Sequence, residues 1–219
     1  MPEAVAIRAA LPPRLRGGHY LGDSGRRAVR RIDPRTRTVF RFDVGGGRVT
    51  PIVVLDTSVA IDLYRGGLLD TLFKLPAKYM VPEILYEDEL KEWFGEVLMA
   101  NGLIIEQLDE TEVARAREFL RRCRSLSLVD AYALALAVRG KHTILAGAKD
   151  IRELGEEAGL EVRGVLHVFD LVEEAQLLSP AGLHTCLATM CKSRRVRLPR
   201  EEVDARFAKY SSVEWPKKV

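Results

Sequence analysis

The chain's 219 residues, 47% of them hydrophobic, suffice for one ordinary domain with a real core plus an appendage. Cys123, Cys186 and Cys191 form no paired framework and no metal-binding spacing, and the four histidines are scattered, which argues against a disulfide scaffold or a zinc site. No apolar run is long enough to span a bilayer and the N-terminus lacks the apolar core of a signal peptide, so a soluble, cytoplasmic protein is expected.

The net charge of +3 conceals a division. Residues 1–50 carry 11 Arg against 4 acids, a net +7, whereas the remainder has 23 basic and 27 acidic residues, a net −4. Pro12-Pro13, Gly17-Gly18 and Gly45-Gly46-Gly47 leave little in that first segment to build a core. It reads as an Arg-rich, poorly ordered extension, with a nucleic-acid-binding arm as the alternative.

From residue 51 short apolar runs alternate with helical segments, the pattern of a parallel sheet flanked by helices. Strands are predicted at 52–55, 79–81, 103–106, 142–146 and 162–164. Helices are predicted at 58–65, 67–74, 83–100, 110–124, 128–139, 149–158 and 166–177. After Ser179-Pro180, two amphipathic helices at 180–191 and 199–209 flank a basic link that includes Arg194 and Arg195. The division this suggests is 1–50, an α/β domain over 51–178, and a C-terminal helical extension over 179–219.

Carboxylates fall where strands end or helices begin, which is where an open parallel sheet binds its ligands. Asp56 follows the run Ile52-Val53-Val54-Leu55, and its plain alternative is a helix N-cap. Glu83, Glu87, Asp88 and Glu89 follow the strand that ends at Pro82; most of them must face solvent. Asp130 opens an otherwise apolar helix, Ala131-Tyr132-Ala133-Leu134-Ala135-Leu136-Ala137, where a lone carboxylate is costly unless a cation meets it. Ser127 three residues earlier also makes a capping box with Asp130, although the apolar surroundings argue against an exposed first turn. Acids at the rim of an apolar core suit a divalent metal.

Together Val54-Leu55-Asp56-Thr57-Ser58, Val81-Pro82-Glu83-Ile84-Leu85-Tyr86-Glu87-Asp88, Ser127-Leu128-Val129-Asp130-Ala131 and Ile144-Leu145-Ala146-Gly147-Ala148-Lys149-Asp150 resemble the PIN domain family of nucleases, which includes VapC-type toxins. The resemblance implies an α/β/α sandwich around a parallel sheet and cleavage of RNA with Mg²⁺ or Mn²⁺. It implies Asp56, Asp88 and Asp130 as catalytic, metal-binding acids, with Glu87 as the fallback for Asp88 and Thr57 or Ser58 supporting Asp56. The fourth position departs from the pattern: Ala146-Gly147-Ala148 stands where Thr-Gly-Asp is usual. Asp150 is then a secondary metal candidate, although two residues of helix turn it by about 200°. Lys149, Arg194 and Arg195 are candidate RNA contacts. A homodimer and, for a toxin, an antitoxin partner are further implications. Two other readings remain: a PIN-like binding or scaffolding module that has lost catalysis, and a phosphatase forming an aspartyl-phosphate, for which Ser58 stands where a second acid is needed.

Overall fold

A computed structural model describes residues 50–193 and 196–212. The Arg-rich segment 1–49, Arg194, Arg195 and residues 213–219 lie outside the described residues, and with them the expectations placed on the N-terminal segment and on those two arginines.

Five strands form a single parallel sheet: β1 (Ile52–Leu55), β2 (Lys78–Pro82), β3 (Ile104–Glu106), β4 (Thr143–Leu145) and β5 (Val162–Arg163), in the spatial order β3-β2-β1-β4-β5. Each predicted strand is present, β1 at its predicted bounds and the others with ends shifted by no more than a residue. The four residues of β1 are all buried, as an inner parallel strand covered on both faces requires. The register places Val54 opposite both Met80 and Ile144.

Chain order dictates the layers. From β1 the sheet grows one way through β2 to β3, then returns past β1 to β4 and β5. Right-handed crossovers therefore put the helices of the first half on one face and those of the second half on the other. The first set is α1 (Thr57–Arg65), α2 (Leu69–Leu72), α3 (Glu83–Leu85), a π-helical turn (Tyr86–Leu90) and α4 (Lys91–Ala100). The second set is α5 (Glu110–Arg122), α6 (Leu128–Gly140) and α7 (Lys149–Glu157). Helix α8 (Val165–Glu174) packs against α1 and α2, and α9 (Pro180–Cys191) against α1 and α8. The result is a three-layer α/β/α sandwich.

Helix α6 lies across β1, β2 and β4, and the small side chains of Ala131, Ala133, Ala135 and Ala137 let it approach closely. Its first turn departs from the expectation: Leu128 is 46% exposed and Ser127 is exposed. The helix is buried only from Ala131 onward.

The continuous helix predicted over 83–100 is also corrected. It breaks into α3, the π turn and α4, with Phe94 non-helical at φ −150°, ψ 24°. Gly95 permits this arrangement, since a Cβ there would stand 2.9 Å from the Tyr86 hydroxyl. Phe94 in turn stacks on Tyr64 of α1, with ring centroids 5.0 Å apart. Helix α10 (Arg200–Ser212) docks on α9, and Arg206 forks onto Asp170 of α8 at 2.7 and 3.1 Å.

Candidate active site

The sheet's direction of growth reverses between β1 and β4. At such a switch point the loops leaving the two carboxyl ends splay to opposite faces and open a crevice. Asp56 lies there: its N–H donates to the Leu145 carbonyl across the gap at 3.0 Å. Its residue is 3% exposed, because the apolar β1 carries it into the core before the chain turns into α1.

Asp56 occupies the N-cap position of α1 but its carboxylate closes no capping hydrogen bond. It accepts instead from the Ser58 hydroxyl, and the nearby Ser58 N–H also favours its charge. These donors do not offset the surroundings. Burial, then the charge of Asp130, and to a lesser degree that of Glu89, push its pKa up to about 7. Among the described residues no arginine or lysine acts on it.

Asp130 arrives from α6. It satisfies the capping box: Ser127 Oγ accepts from its N–H at 3.1 Å, and its carboxylate accepts weakly from the Ser127 N–H at 3.4 Å. Its charge also acts on Asp56. The two readings of this residue are compatible. An N3 carboxylate caps the helix and remains near the crevice that the helix points into.

The third acid is Glu89, which sequence reasoning placed only among a group of solvated candidates. It is half-buried on the π turn, and its carboxyl is raised by burial, with Asp130 and Asp88 adding to the rise. The Thr57 hydroxyl, buried without a hydrogen-bond partner of full geometry, still favours its ionised form. Asp88 is exposed and does not act on Asp56; Glu87 is exposed and pairs with Lys91 at 2.6 Å. The π turn explains the difference. About one residue more per turn shifts which side chain faces inward, whereas the family spacing counted from Pro82 selects Asp88.

The turn after β4 passes beside Ser58, whose Oγ would lie 3.4 Å from a Cβ on Gly147. Ala148 is the N-cap of α7 and offers no capping side chain. Asp150 accepts from Ser125 at 2.7 Å, away from the other acids, and Lys149 is exposed and pairs with Glu153 at 3.2 Å.

Asp56, Glu89 and Asp130 thus share one electrostatic environment in which, among the described residues, like charges gather without a cation acting on Asp56 or Glu89. Hard oxygen donors in that state suit Mg²⁺ or Mn²⁺. Among the described residues no three acidic, His or Cys side chains are closed around a common point at ligand distance. The residues fit a divalent ion in charge and donor type, in an arrangement still open. Nor is any helix among the described residues long and apolar enough to cross a membrane.

No curated protein matches the chain. The DUF3368 family model, described as a PIN domain, matches residues 52–212, from β1 to the last residue of α10. A parallel sheet in this order with acids at its switch point, together with a match over most of the sequence, places the chain in the PIN domain family.

Proposed function

We propose that the protein is a metal-dependent ribonuclease that hydrolyses RNA phosphodiester bonds at the crevice between β1 and β4. The observation that carries this reading is the burial of Asp56 at the switch point between β1 and β4, where the charges of Asp130 and Glu89, from distant segments, act on it. Asp56, Asp130 and Glu89 would hold the ion, with Glu89 in the place first given to Asp88. Bound Mg²⁺ or Mn²⁺ supplies a water of lowered pKa and neutralises charge on the phosphate. Ser58 fixes the rotamer of Asp56, and Thr57 orients Glu89. Lys149, together with Arg194 and Arg195, is a candidate contact for RNA phosphates.

The test is cleavage of a labelled single-stranded RNA by purified protein with Mn²⁺. We expect cleavage that chelator abolishes and that Asp56→Asn and Glu89→Gln each reduce by about 100-fold or more, from the loss of a ligand that positions the ion. Cleavage unchanged in both variants would overturn the reading.

Ala148 favours a second reading, a PIN-like nucleic-acid-binding or scaffolding module that no longer catalyses. It predicts RNA binding without cleavage at any Mn²⁺ concentration. The family resemblance also brings a toxin role with an antitoxin, which no described feature favours, and a homodimer. For the dimer we propose the apolar surface of Tyr64, Trp93 and Val97.

A further inference from the structure

The acids of the crevice repel the polymer they are proposed to cut, so phosphates must be held elsewhere on the surface. Several surface cations are already engaged: Lys91 with Glu87, Lys149 with Glu153, Arg152 with Glu156, Arg163 with Glu161, and Arg122 with Glu157. Helix α5 differs. Among the described residues, Arg117, Arg121 and Arg124 have no carboxylate partner, and all three are exposed. Glu118 lies beside them without an ion-pair contact.

Arg117 and Arg121 are one helical turn apart on the same face, about 6 Å along the axis. With Ala114 and Leu120 they line an open groove of about 530 Å³, with an apolar floor between guanidinium groups. Such a surface offers forked donors to phosphate oxygens and an apolar bed to a base.

The direction of α5 gives the groove its meaning. The helix ends at Arg122, Arg124 stands in the turn that follows, and Ser125 in that turn donates to Asp150 in the first turn of α7. The same turn leads through Ser127 into Asp130. The row Arg117, Arg121, Arg124 therefore runs toward the crevice and stops at the loop that supplies one of its acids.

We propose that the α5 face and the turn after it form the track on which a single-stranded RNA backbone approaches the acidic crevice, with Arg117, Arg121 and Arg124 contacting successive phosphates. This rests on the nuclease reading above and names the substrate-holding surface that goes with it.

The test is fluorescence anisotropy of a labelled single-stranded RNA in chelator, over a salt series, with the full chain. We expect Arg117→Gln/Arg121→Gln to weaken binding about tenfold near physiological salt and to flatten the log–log salt slope by about 1.4, roughly 0.7 for each lost phosphate contact. Arg124→Gln alone should flatten it by about half as much. Lys78→Gln, an exposed charge at the amino end of β2, should leave both quantities unchanged. The substituted side chains are exposed, so circular dichroism and the unfolding midpoint should match wild type.

Wild type that binds RNA while the α5 variants keep its affinity and slope would overturn the track and leave the nuclease reading standing. Wild type that binds no RNA at all would overturn both. Polyglutamate displacing the RNA at equal charge concentration would mark the groove as a dock for an acidic protein and also overturn the proposal.

Discussion

At the scale of single residues, Asp56 carries the clearest pH signature. Its pKa moves from 3.8 to about 7 on folding. Below pH 3.8 both states hold the proton and burial of this group exacts no electrostatic penalty. Between 3.8 and 7 the unfolded chain releases the proton while the folded chain keeps it, so stability falls as pH rises, and the full penalty stands above 7. In chelator, Asp56→Asn should therefore be more stable than wild type at pH 8, by about 1–3 kcal/mol, with the gap closing toward pH 4. Urea unfolding across that range measures it; a gap independent of pH would contradict the assigned environment. Saturating Mn²⁺ should narrow the gap at pH 8, because the ion then offsets the charge in wild type alone. Ala148 gives a second residue-scale prediction. An aspartate there would cap α7, whose N-cap now offers nothing, and raise stability by about 1 kcal/mol even in chelator. If the turn beside Ser58 also belongs to the ion site, Ala148→Asp should tighten Mn²⁺ binding in calorimetry. Added stability with unchanged Mn²⁺ affinity would assign the position to capping alone.

At the scale of elements, the sequence was most readable where apolar runs are short and dense. Ile52 to Leu55 announces a strand because a run of four β-branched and other apolar residues, too short for a buried helix, suits a strand covered on both faces. Asp56 and Asp130 were legible for a related reason: each interrupts an apolar run. Glu89 was not, since nothing in Tyr86-Glu87-Asp88-Glu89-Leu90 signals a π turn, and the family spacing counted from Pro82 selects its neighbour Asp88. The break at Phe94 depends on Gly95 accepting the Tyr86 ring, a contact of tertiary origin. A bridge of the same kind joins three elements: Arg139 of α6 reaches Glu106 of β3 and Glu112 of α5, each at 3.0 Å, and both glutamates are buried. Glu112 also closes the capping box of α5 with Asp109. Arg139→Met keeps the apolar stem and removes the only cation paired with either acid among the described residues. It should cost about 3 kcal/mol in urea unfolding, because an unpaired buried carboxylate is worse than the original pair is good. A loss under about 0.5 kcal/mol would show that water already serves both acids.

At the scale of the whole molecule, the two helical layers meet solvent differently. On the layer of α1 and α4, Tyr64 is 47% exposed, Trp93 48% and Val97 38%. Trp93 and Val97 flank the break at Phe94 in α4, and the Tyr64–Phe94 stack ties that break to α1, so all three exposed apolar side chains belong to the α1–α4 layer. Aromatic groups held rigid lose little entropy on contact, and central aromatics dominate protein–protein interfaces. A two-fold pairing of this surface would leave the α5 groove outward on the opposite layer of each copy, so dimer formation and RNA approach would not compete. Sedimentation velocity in the micromolar range should show a dimer for wild type, and Trp93→Glu/Val97→Glu should yield a monomer with an unchanged unfolding midpoint at low concentration. The charges enter positions already in water, so a fall in monomer stability is not expected. A wild-type monomer at tens of micromolar would remove the homodimer, while a dimer that survives both substitutions would place the interface on another face.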